Sequence, residues 1–241
     1  MSLRVPRYGP PQGDAPDCTG PRLLLRAAVR RFPQLFLSGT ACLPALIPGI
    51  LGFFAFSETV PLFAILAGLL SGALEGPLYG GMCYLIYLSL ASEPGYFGVQ
   101  YRTFLSQMWR RLLLPGAAAG GLLTLMLLAW RQMLAYGGGT LLFFGVVLAD
   151  MLLLLGAVTA ASQLTCARYP DSVGVRTAAA FMGRQPGPVC RAVLWQGIYW
   201  FCAVFFFPYS LLILPVSGVW LPALLGAFSL RGAVKAWREK G

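Results

Sequence analysis

Glu75 and Asp150 are the two residues whose placement most needs a reason. Each is the single charge inside a long apolar run, Glu75 within 59–92 and Asp150 within 132–167. A carboxyl at the centre of a bilayer costs roughly 2.5–3.5 kcal/mol on insertion scales, so such acids usually face a bundle interior and mark an ion, proton or substrate path. No lysine or arginine lies at comparable depth to pair with either. A local role competes for Glu75. The sequence Glu75-Gly76-Pro77 could break a helix, with Glu75 capping the half-helix that Pro77 starts. For Asp150 the competing role is an acid hydrogen-bonded inside a helix bundle.

The remaining chemical inventory is thin. Histidine is absent, which removes the commonest general base and the commonest metal ligand. The cysteines are Cys18, Cys42, Cys83, Cys166, Cys190 and Cys202; no two stand at CxxC spacing, and they read as small apolar filler. There is no Walker A sequence, no HExxH, no GxSxG and no Ser/His or Cys/His pair. No catalytic residue, no metal site and no cofactor is therefore expected, and a non-enzymatic role is.

What must position the two acids is a set of membrane helices. The chain has 241 residues, 58% hydrophobic and 11% charged, with a mean hydropathy of +0.71. Soluble domains run near ~45–50% apolar and about 25% charged, and lipid is the solvent that reconciles this composition with folding. The net charge of +10 does not point to nucleic acid, because the basic residues sit between apolar runs rather than on one polar face. Residues 1–21 are polar and rich in proline and glycine, and lack the pattern of a signal peptide.

A helix needs about 20 apolar residues to cross the roughly 30 Å hydrocarbon core. Six spans are expected, at about 33–56, 61–90, 112–130, 140–163, 192–208 and 215–231. The last two come from dividing the uncharged run 192–230 where Pro208, Pro215, Ser217 and Gly218 favour a turn. With the N-terminus inside, all 18 lysines and arginines except Arg131 fall on the cytoplasmic side, as the positive-inside rule requires. The expected organisation is a cytoplasmic tail and basic amphipathic segment at 1–31, an all-α transmembrane bundle at 32–231 and a basic cytoplasmic tail at 232–241.

The cytoplasmic connections carry helical periodicity. Phe97, Tyr101, Phe104, Leu105, Met108, Trp109 and Leu112 share one face of 97–112, started by Glu93-Pro94. This segment reads either as an amphipathic helix in the interface or as an extension of the third span. Arg22, Arg26 and Arg30 repeat at helical spacing in 22–31, suited to anionic lipid. The 168–191 loop is similar but less regular. Tyr79, Tyr84, Tyr87, Trp195, Tyr199, Trp200 and Tyr209 are expected as interface anchors.

Small residues set the expected packing. Gly68, Gly72, Gly76 and Gly80 stand four apart on the second span, and Gly116 and Gly120 do so on the third. The fourth span offers Gly145/Ala149 and Gly156/Ala160. Such stripes let helix backbones approach closely; a sliding interface for alternating access is the functional alternative.

The stretch 72–116 resembles the YesL-like family of bacterial membrane proteins. The residues that carry the resemblance are Gly72, Gly76-Pro77, Tyr79 to Tyr87, Glu93-Pro94-Gly95-Tyr96-Phe97, Tyr101-Arg102, Phe104, Arg110-Arg111 and Pro115-Gly116. The length of the second span and Glu75 depart from it. The resemblance implies a multi-pass protein of the bacterial cytoplasmic membrane, linked to solute and in particular carbohydrate uptake, and it supplies no catalytic residues. The function expected is an accessory or permease-like membrane component, with a proton- or cation-coupled transporter using Glu75 and Asp150 as the alternative. Its expected partners are the lipid bilayer and either another membrane protein or a second copy of the chain.

Overall fold

The computed structural model describes residues 20–90, 96–136, 141–168, 175–206, 209 and 217–240. Every regular element among them is a helix. The order is α1 (Pro21–Arg30), α2 (Phe32–Phe56), α3 (Pro61–Leu90), α4 (Phe97–Tyr136), α5 (Leu141–Arg168), α6 (Val175–Arg184), α7 (Pro186–Phe205) and α8 (Trp220–Lys240). Proline sits in the first turn of α1, α2, α3 and α7, where its missing N–H costs nothing and its fixed φ suits a helix start. Among the described residues four helices, α2 to α5, are long and apolar enough to cross a membrane, which makes this a helical membrane protein.

The helix of the second span does not break. α3 runs through Glu75-Gly76-Pro77 for 30 residues, about 45 Å at 1.5 Å per residue. An interior proline costs a helix about 3 kcal/mol in isolation. Here Pro77 is fully buried, and helices pack on both sides of it, the condition under which membrane helices tolerate proline. α2 likewise stays helical through Pro44 and Pro48; the Ser71 hydroxyl of α3 donates to the Ala45 carbonyl between them at 2.7 Å.

The segment 97–112 is not a separate interfacial helix. It forms the first turns of α4, which continues unbroken through Pro115 for 40 residues. Its apolar face is occupied by α3: Phe104 and Met108 are buried, and Phe104 stacks on Tyr84 with ring centroids 5.0 Å apart. The proposed start at Glu93-Pro94 lies outside the described residues. Two other segments expected on the cytoplasmic side do form short helices. α1 buries Leu23 and Ala27, and α6 buries Ala178 and Phe181.

Two cores result. Leu35, Met82, Leu85, Ile86 and Leu90 of α2 and α3 gather with Leu23 and Ala27 of α1 and with Trp220, Ala223, Leu224 and Ala227 of α8. Ala160 and Leu164 of α5 gather with Phe181, Val189, Ala192, Leu230, Ala233 and Val234. The segment expected as a free basic tail, 232–241, therefore begins as part of α8, held by Ala233 and Val234.

Candidate functional site

α3 and α4 are antiparallel and touch backbone to backbone. A Cβ added at Gly72 would meet the Gly116 carbonyl and lie 2.8 Å from the Gly120 Cα. At Gly76 it would lie 2.6 Å from the Leu112 carbonyl and 2.9 Å from the Gly116 Cα. The relation is mutual: Gly116 faces Gly72 and Gly76, and Gly120 faces Gly68 and Gly72. Gly68 also faces Thr124, whereas Gly80 faces the side chains of Leu112 and Phe104. On the fourth span, Gly156 packs on Val193 and Val189 of α7, and nothing lies within 4 Å of a Cβ at Gly145.

The glycine stripe fixes the direction of its neighbour. Ser71, Glu75, Tyr79 and Cys83 also stand four apart on α3, one position along from the glycines, so they form a second stripe rotated by about 100°. Ser71 reaches α2 through its bond to Ala45. Glu75 is half-buried and lies within electrostatic reach of Cys42 on α2 and of Tyr79. The Cys83 thiol lies near Tyr79 and near Ser162 of α5; the Ser162 hydroxyl donates to the Val158 carbonyl of its own helix at 2.7 Å, and Cys166 stands four residues beyond it. Cys42, Cys83 and Cys166 are buried free thiols. Carboxyl, phenol, thiol and hydroxyl thus follow one another from the middle of α3 towards the C-terminal end of α5. Each is a group that can give up or take up a proton, and none is a cation. Among the described residues no three His, Cys, Asp or Glu side chains are grouped to hold a metal ion.

Asp150 does not join this line. It is exposed on α5, roughly 18 Å along the helix axis from Ser162. Tyr79 and Tyr84, expected as interface anchors, are half-buried, Tyr79 against the α1–α2–α3–α8 core and Tyr84 on Phe104, whereas Trp195, Trp200 and Tyr209 are exposed. Sequence reading missed Ser71, Cys42, Cys83 and Ser162. The signal that could have found the first and third is their four-residue spacing from Glu75.

A second buried polar group lies between α5, α7 and α8. Gln196 donates through Nε2 to the Thr159 hydroxyl at 3.0 Å, and Thr159 donates to the Leu155 carbonyl at 2.7 Å. A Cβ at Gly226 would collide with the Gln196 amide, so that glycine forms the notch holding the glutamine. At the far side of the bundle, the Arg131 guanidinium pairs with Glu58 in the α2–α3 turn. The one cation expected outside is matched by an acid there.

No family model, no curated protein and no solved structure matches the chain.

Proposed function

We propose that this chain is a multi-pass component of a bacterial cytoplasmic membrane, with both termini in the cytoplasm. In this reading it is a non-enzymatic accessory or permease-like subunit for uptake of a solute such as a carbohydrate. The topology is supported by the arginine and lysine asymmetry, which requires an even number of crossings; six, the number expected from hydropathy, satisfies it, and so does four. The accessory role is carried by Asp150. It stands about 14 Å from the outer end of α5, within an apolar span, and points out of the bundle. Towards lipid, an acid at that depth is costly; a partner helix offering a hydrogen-bond donor removes the cost. Affinity purification from native membranes in mild detergent should retain a membrane-protein partner, and Asp150→Leu should release it while the monomer stays folded. A chain that purifies alone with Asp150 intact would count against this role.

The line from Glu75 to Ser162 favours a second reading, proton-coupled transport. Under it, Glu75→Gln abolishes proton-dependent flux in proteoliposomes. Under the accessory reading, Glu75→Gln is tolerated.

A further inference from the structure

As far as the described residues go, the two C-terminal helices are short of what a crossing needs. The apolar part of α8 runs from Trp220 to Leu230, roughly 16 Å, before Arg231. That of α7 runs from Ala192, after Arg191, to Phe205, roughly 21 Å. The hydrocarbon core is about 30 Å thick.

The neighbours of α8 also lie at one level. Trp220, at its start, meets Phe32 edge to face at 5.8 Å and packs on Gly39, where an added Cβ would be 3.0 Å from the indole Cδ1. Phe32 opens α2 immediately after Arg31 and is therefore at the cytoplasmic end. Ala223, Leu224 and Ala227 share a core with Leu23 and Ala27 of α1 and with Leu85 and Leu90 at the inner end of α3. Near the other end of α8, Trp237 meets Phe181 of α6 at 5.5 Å and lies beneath the Arg184 guanidinium. A sixth span would bring Trp220 to the outer ends of α2 and α3, around Phe56 and Pro61. It is found beside their inner ends. α7 runs back along α8, joined by Gln196 in the Gly226 notch and by the Tyr199 hydroxyl, which lies 2.7 Å from the Ser217 hydroxyl and donates to the Gly218 carbonyl at 3.1 Å.

The outward face of α7 shows what covers it. Leu194, Ile198, Phe201 and Phe205 form an exposed stripe, flanked by exposed Trp195 and Trp200. Ala192 and Gln196 on the opposite face are buried. Aliphatic and phenyl groups bordered by indoles suit the boundary between acyl chains and headgroups.

We propose that α7 and α8 form a hairpin that enters the bilayer from the cytoplasmic side and returns to it, with the aromatic stripe of α7 seated in inner-leaflet lipid. The chain then crosses the membrane four times. The arginine asymmetry is unchanged, because four crossings leave the same segments inside as six. This rests on the cytoplasmic placement of the termini proposed above.

The test places a cysteine at Tyr209, which is exposed near the end of α7. Cys18, Cys190 and Cys202 are replaced by alanine, and the buried Cys42, Cys83 and Cys166 are kept. Ser106→Cys and Glu58→Cys serve as inner and outer references. A membrane-impermeant maleimide should label Ser106→Cys in inverted vesicles and should leave Tyr209→Cys unlabelled in right-side-out vesicles, because the tip of the hairpin does not reach the outer surface; labelling of Tyr209→Cys from the inside alone supports the hairpin too. Labelling together with Glu58→Cys from the outside would overturn the hairpin while leaving the termini inside. Ser106→Cys and Glu58→Cys labelling from one side would instead overturn the underlying topology. A Tyr209→Cys that reacts from neither side and is labelled once the membrane is dissolved in detergent also supports the hairpin, because a loop between two crossings would react from outside with Glu58→Cys.

Discussion

The α3–α4 and α7–α8 pairs are both antiparallel and both built around glycine, yet they hold together differently. In α3–α4, Gly72 and Gly76 meet Gly116 and Gly120 with no side chain between the backbones. In α7–α8, the single notch at Gly226 is filled by a polar side chain, Gln196, tied to Thr159. Lipid offers little hydrophobic drive for helix association, so long spans rely on close van der Waals packing over many turns. A short pair packed on other helices can be fixed by one hydrogen-bonded plug. The first arrangement is intolerant of added volume along its whole length, the second at one point.

The largest effect should come from Gly72→Leu or Gly116→Leu. The new side chain meets backbone, which cannot rotate away, so the helices must separate. Overpacking of this kind costs about 1–3 kcal/mol or more, read as a lower unfolding midpoint in detergent. Gly145→Leu, in open space, is the control and should leave the midpoint unchanged. Gly226→Ala should come next. The added methyl displaces Gln196 and breaks its bond to Thr159, costing about 1 kcal/mol. Gln196→Ala in the same background should recover part of the loss, since both the clash and the plug are then gone.

Smaller effects would sharpen the comparison. Ser71→Ala removes the α2–α3 bond to Ala45 and should cost about 0.6 kcal/mol, the average for interhelical bonds in membranes. Arg131→Gln removes an ion pair between partly and largely exposed side chains, worth about 0–1 kcal/mol. Its loss should be indistinguishable from that of wild type in high salt, where the pair is screened.

The sequence was most informative where one physical rule acts alone. α2 and α3 fall within one residue of their expected limits, because charge-free runs between turn residues leave little choice. It was least informative where tertiary contact overrides local preference. Pro77 reads as a break, and burial among neighbouring helices keeps α3 helical through it. The 97–112 periodicity signals an apolar face, but periodicity cannot say whether lipid or another helix covers it; Tyr84 and Gly80 of α3 do. The run 192–230 shows only that lipid-compatible residues are present, and its depth is set by contacts such as Trp220 with Phe32. Glu75 was conspicuous as a lone charge, whereas Cys42 and Cys83 read as filler, since thiols are as common in apolar packing as in proton exchange, and Ser162 gave no signal.

The central claim is that the basic segments share one side of a membrane and the Glu58–Arg131 pair lies on the other. Single cysteines at Ser106, Gly183 and Glu58 test it with an impermeant reagent on sealed vesicles of defined orientation. The account predicts that Ser106→Cys and Gly183→Cys react only in inverted vesicles and Glu58→Cys only in right-side-out ones. Ser106→Cys and Gly183→Cys reacting from opposite sides would contradict it.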